Sequence, residues 1–245
     1  MPNGLHLWDI LIPTVSGIIG ALAGGIPAYF LARRASKEVL ERDQQNRRDR
    51  EKSAAHRVFV KLSILSNSLL DFHTQVEQMI DRADKDGHSE MPIWQRLSTF
   101  AGVEREVTPD FDADELAVFV GTKRVEYVDD LILLSRRHRA AIDGLTTFAR
   151  LKTDLHYRLA GQGTTTRDDT GISQTVARLT PGEANRVRLE TEELELFANA
   201  MRAQLREFAD FAEGVAGRYG EIVRTYFDDP SMPHFTARVT ECGHP

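Results

Sequence analysis

The sequence predicts an all-α protein in which one N-terminal transmembrane helix continues into a cytoplasmic bundle of three long helices plus short ones. Three observations predict it. Ile10 to Ala32 are 23 residues without a charge. Apolar residues then recur at threes and fours through three long stretches, which is helical spacing. No stretch shows convincing period-two alternation of a strand.

The uncharged run comes first. As a helix it would be about 34 Å long, against a hydrocarbon core of about 30 Å. Residues 1–9 carry no Lys or Arg, whereas Arg33, Arg34 and Lys37 follow the run at once. Positive charge stays on the cytoplasmic side and contacts lipid headgroups there, so residues 1–9 are expected outside and the body inside. Ala21-Leu22-Ala23 has the form of a signal-peptide cleavage site, but the basic n-region is missing and apolar sequence continues to Leu31. An uncleaved anchor is the expectation. Gly20 and Gly24, with the adjacent row Gly17, Ala21 and Gly25, form small-residue steps through which two membrane helices can pack closely.

The neck, residues 33–57, leads into the bundle, and over 33–61 ten basic residues face five acidic ones. Interleaved signs read as a solvated or lipid-contacting helix. Arg47-Arg48-Asp49-Arg50 is the sharper nucleic-acid alternative, weakened by the interleaved acids and the scarcity of aromatics. Beyond residue 61 the chain carries the balance of a formal net charge of −6 and is strongly acidic.

The bundle is expected over 58–227. Val58, Leu62, Leu65, Leu69, Phe72, Val76, Met79 and Ala83 make a heptad seam for a bundle or an oligomer. Phe59 at its start, with Ile64, Leu70 and Ile80 beside it, widens it toward a bundle core. Asp84-Lys85-Asp86-Gly87 closes this first helix. Residues 88–111 are broken by Pro92, Gly102 and Pro109, with a short face of Ile93, Trp94, Leu97 and Phe100. Asp112 and Glu115 form a capping box opening a short helix to about Val120. A second long helix is expected from about Thr122 to Leu159, with Val128, Leu131, Leu134, Ile142, Leu145, Phe148, Leu155 and Leu159 on its core face. Gly161 to Leu179 reads as a flexible connector. Thr180-Pro181-Gly182-Glu183 starts the third long helix, ending at Phe227 before Asp228-Asp229-Pro230. Residues 228–245 are expected to be a flexible tail.

Composition excludes whole classes. With 41% apolar and 28% charged residues the chain is not disordered throughout, and the single Cys242 can form no intramolecular disulfide. Catalytic patterns are missing: no H-E-x-x-H, no G-x-S-x-G, no E-x-x-H pair, and Gly161-x-Gly163 lacks the strand and the Gly-Lys-Ser/Thr of a phosphate loop. His234, Cys242 and His244 amount to a loose cluster on the tail, so neither metal nor cofactor is expected. Arg136, Arg137 and Arg139 flank His138 in a basic patch for an anion or a partner, or for an internal ion network with Glu190, Glu192, Glu193 and Glu195.

Arg outnumbers Lys by 25 to 6, which suits a GC-rich bacterial genome. The layout of anchor, charged neck and helical body is similar to that of many bacterial and phage proteins and rests on no diagnostic motif. The expected role is therefore helix-mediated assembly at the bacterial inner membrane, as a homo-oligomer with a protein partner. A membrane-recruited helical enzyme or ligand-binding domain is the alternative.

Overall fold

A computed structural model describes residues 7–100, 102–161, 163–167 and 173–235; side chains are described from Tyr29 onward, except for Ala32, Glu104 and part of the segment 165–177. Among the described residues the regular structure is helical but for one short hairpin. The chain divides into two compact units, Met1–Ser53 and Ala54–Pro245.

The first helix, α1 (Leu7–Lys85), supplies most of the first unit and opens the second. In the first unit the described side chains up to Arg50 are exposed. Such a helix depends on pairs one turn apart. Arg34 pairs with Glu38 (3.2 Å), Lys37 with Glu41 (3.8 Å) and Arg47 with Glu51 (3.0 Å), and Gln45 donates to Asp49. Among the described residues no helix is long and apolar enough to cross a membrane. Gly17, Gly20, Ala21, Gly24 and Gly25 fall within α1, but their side-chain surroundings lie outside the described residues, as does most of the uncharged run.

In the second unit, burial on α1 begins at Ala54 and Ala55 and follows Val58, Leu62, Leu65, Leu69, Phe72 and Val76. The next buried position is Ile80, and Met79 is only half-buried. Ala83, the last position of the seam, is buried again, so the seam departs from the core at Met79 alone. Of the residues expected to widen the seam, Phe59 packs against the core and Ile80 is buried, whereas Ile64 and Leu70 are exposed; Ser66 is buried as well. Gly87, at φ +85°, ends the turn after α1 as expected.

A single turn, α2 (Ile93–Arg96), precedes a 3-10 turn over Val103–Arg105. Then α3 (Ala113–Gly121) leads through Lys123, at φ +60°, into α4 (Val125–Ala160). Thr122 caps α3, so α4 starts three residues later than periodicity suggests. The last helix, α5 (Pro181–Phe227), has its Thr180 capping box and a left-handed Asp228 at its end.

Cross-helix bonds fix the bundle's directions. Along α1, Ala55, Ser66 and Glu77 meet Tyr219, Ala212 and Arg202. Along α4, Tyr127, Arg137 and Arg158 meet Val215, Glu207 and Glu190. Partner numbers fall as position rises, so α5 runs antiparallel to both. Buried Ala198, Ala209, Ala212, Ala216 and Gly220 give α5 a small-residue face that admits close neighbours.

The described parts of two segments expected to lack structure, 163–177 and 228–235, are ordered parts of the fold. Between α4 and α5 stand β1 (Gly163–Arg167) and β2 (Ser173–Ala177), antiparallel, with Gly163 opposite Ala177 and Thr165 opposite Thr175. β-branched Thr164, Thr165, Thr166, Thr175 and Val176 favour extended backbone, which overrides the loop-like flanks. The tail also packs back. Met232 is buried, Arg224 donates to its carbonyl (3.1 Å), and the Phe235 ring lies 4.7 Å from Phe59. Cys242 and His244 lie outside the described residues.

This strap constrains Gly220, where a Cβ would stand 2.5 Å from that of His234. Gly220→Ala should therefore behave oppositely in two backgrounds. In a chain ended after Asp229 it should stabilise by about 0.5–1 kcal/mol, the usual helical preference for alanine. In the full chain the clash should cancel or reverse that gain, which urea unfolding of the four proteins would measure.

Candidate functional site

The polar chemistry of the second unit gathers where residues 103–112 cross between α1 and α4. Glu115 on α3 is fully buried. Its Oε1 accepts from Arg57 Nε (3.2 Å), and its Oε2 from Lys61 Nζ (2.8 Å) and the Asp112 N–H (2.9 Å). Lys61 also donates to the Asp110 carbonyl (2.7 Å) and to Asp112 Oδ2 (3.2 Å). Burial opposes the Lys61 charge, but hydrogen bonds and charge from Glu115 and Asp112 prevail and raise its pKa.

One helical face further on stands His138, 1% exposed. Its ring stacks on Phe72, with centroids 6.0 Å apart, and its Nδ1 is 2.9 Å from Thr108 Oγ1. Nε2 makes no hydrogen bond and lies 3.6 Å from Glu106 Oε2. Burial pushes the imidazole pKa down, and nearby Glu106 opposes that only in part, so the ring is neutral at pH 7. Ser68 donates to Glu106 (2.6 Å) and Ser135 to the Pro109 carbonyl (3.2 Å).

The third polar group is Lys152 of α4, whose Nζ donates to the carbonyls of Trp94 (3.0 Å) and Leu97. It anchors α2 against the bundle. Burial lowers this amine from 10.5 to about 8. Between those values the unfolded chain binds more protons, so stability should rise from pH 8 toward 10.5. The gain of wild-type stability between pH 7.5 and 9.5 should shrink in Lys152→Met; equal slopes in urea titrations would reject this. Beside α2 lies an open groove of about 560 Å³ lined by Pro92, Trp94, Gln95, Thr191, Glu192, Glu195 and Leu196. Its carboxylates are engaged: Glu192 with Arg188, Glu195 with the Trp94 N–H and Asn199.

The expected basic patch is dispersed. Arg137 pairs with Glu207 (2.9 Å) over the rings of Phe208 and Phe211, Arg139 pairs with Asp110 (3.2 Å), and Arg136 is exposed. The proposed acidic partners are elsewhere, since Glu190 pairs with Arg158 and Arg186. Sequence reasoning missed His138, Lys152 and the burial of Glu115. The signal for His138 was available: it continues the Leu131, Leu134 spacing toward Ala141 and Leu145. No group of three His, Cys, Asp or Glu side chains among the described residues is placed to hold a metal ion.

No protein-family model, curated protein or solved structure matches the chain. Carboxylates, cations and hydroxyls of this region hydrogen-bond one another, an arrangement that fastens segments together.

Proposed function

We propose that the chain is a single-pass protein of the bacterial inner membrane whose helical domain mediates assembly on the cytoplasmic face, as a homo-oligomer that engages a protein partner. The observation that carries this reading is the order of residues along α1. An uncharged run long enough to span is followed within five residues by Arg33, Arg34 and Lys37, then by helix that enters the bundle core at Ala54. Gly20 and Gly24 offer the close-packing face, and the three cations meet the headgroups.

The interior favours an interaction module over an enzyme. Glu115, Lys61 and Lys152 are committed to partners within the fold, and the groove beside α2 is open, with its carboxylates already bonded. Arg34, Lys37 and Arg47 each have an acid one turn away, which reduces the net charge offered to nucleic acid.

Two measurements test the reading. The full chain should stay with membranes through alkaline carbonate extraction, with a C-terminal tag protected in spheroplasts; release into the supernatant would overturn the anchor. Gly20→Ile with Gly24→Ile should weaken association of differently tagged copies in the membrane, and unchanged association would remove the glycine face from the proposal.

A further inference from the structure

Residues 103–112 are held across α1 and α4 by a row of polar bonds, with Val103 buried and Phe111 packed against the core near its two ends. Ser68 of α1 holds Glu106, Lys61 of α1 holds Asp110 and Asp112, and Ser135 of α4 holds the Pro109 carbonyl. Arg139 of α4 pairs with Asp110 on the outer side. At the centre, Thr108 is tied to the buried His138, whose second ring nitrogen has no hydrogen-bond partner. A buried polar atom left without a partner costs free energy. Such an atom is a weak point of the crossing.

We propose that residues 103–112 are an acid-released latch, with His138 as the trigger and the bundle face around Phe72 as what it uncovers. Protonation gives the imidazole two N–H donors where it had one. Thr108 Oγ1, which can donate to a neutral Nδ1, must then turn its own proton elsewhere. At the other nitrogen the charge meets Glu106 at 3.6 Å, beyond good hydrogen-bond length and with its Oε2 already accepting from Ser68.

The other surroundings offer the cation little. The α1 face against it is the Phe72 ring, and along α4 the neighbouring Arg137 and Arg139 are themselves positive and turned to Glu207 and Asp110. Among the described residues Glu106 is the charged group that acts on the ring. Once the crossing lifts, the ring meets water and holds its proton at the ordinary affinity. Because the open state binds the proton more tightly, acid must shift the population toward it. The lowered affinity of the buried ring has the sign this requires. Opening exposes Phe72 and Val103, both buried in the closed form. An acid-exposed apolar face is a means of switching on a contact.

The test is amide hydrogen exchange read by mass spectrometry on the full chain in micelles, with intrinsic rates corrected for pH. From pH 7.5 to 5.0, protection over 103–112 should fall tenfold or more, while the α5 segment 205–223 keeps its protection. His138→Phe, which keeps an aromatic ring beside Phe72, should abolish that fall. A wild-type crossing that stays protected at pH 5.0, or an undiminished fall in the variant, would overturn the latch. Should the variant not fold, imidazole NMR of the wild type decides. His138 must titrate with the same midpoint as the loss of protection, and separate midpoints would overturn the proposal.

Discussion

Glu115→Ala should lower the unfolding free energy by about 2–3 kcal/mol. Glu115 is a fully buried carboxylate accepting from two cations and a backbone N–H. Removing it leaves Lys61, whose side chain is 23% exposed, facing only Asp112 and the Asp110 carbonyl, and strips the Asp112 N–H of its cap. Arg57 is half exposed and can turn to water, which keeps the loss below that of a fully enclosed pair. Glu115→Gln should fall between, because an amide oxygen still accepts but carries no charge. Urea unfolding of both variants is joined by Glu115→Leu, Lys61→Met and the double variant Lys61→Met/Glu115→Leu, and the last three with wild type close a cycle. The double variant should recover part of the single loss, since an apolar pair leaves no stranded charge. Strict additivity would show that the pair does not act as a unit.

This network also marks where the sequence stops being readable. Asp112 and Glu115 are visible as a local cap, three residues apart. That Lys61 and Arg57 converge on the same carboxylate depends on how α3 lies against α1, more than fifty residues away in the chain. The Arg-rich stretch on α4 failed for the same reason. Composition paired it with the acids at 190–195, whereas antiparallel register sets Arg137 opposite Glu207 and Arg158 opposite Glu190. His138 was hidden by its basic neighbours, although its spacing places it on the core face. Long helices were legible because their apolar period persists over many turns, with Gly87 closing α1 and the Thr180 box opening α5. The hairpin was not, because five-residue strands of Thr flanked by Gly carry too little pattern to outweigh loop composition. In the tail, Met232 and Phe235 have no period at all, and only tertiary packing buries the first and sets the second against the core.

The end of the bundle where α1 becomes buried should depend most on Tyr219. Its ring is fully buried among Phe59 (5.7 Å), Phe119 (6.1 Å) and the strap's Phe235 (6.3 Å), and its hydroxyl donates to the Ala55 carbonyl (2.6 Å). Burial raises the phenol pKa, so the group stays a neutral donor at any ordinary pH. Two substitutions separate ring from hydroxyl. Tyr219→Phe keeps the packing and should cost about 1 kcal/mol, the net worth of one hydrogen bond. Tyr219→Ala empties the space among three aromatic rings and should cost about 3–5 kcal/mol. The cavity also removes the surface on which Phe235 rests, so the alanine variant alone should free the strap. Limited proteolysis after Phe227 reads that second effect separately from urea unfolding. If both variants unfold alike, the hydroxyl rather than the ring holds this end of the bundle together. If the strap stays protected in Tyr219→Ala, Met232 and the Arg224 bond to its carbonyl suffice to hold it without the aromatic cluster.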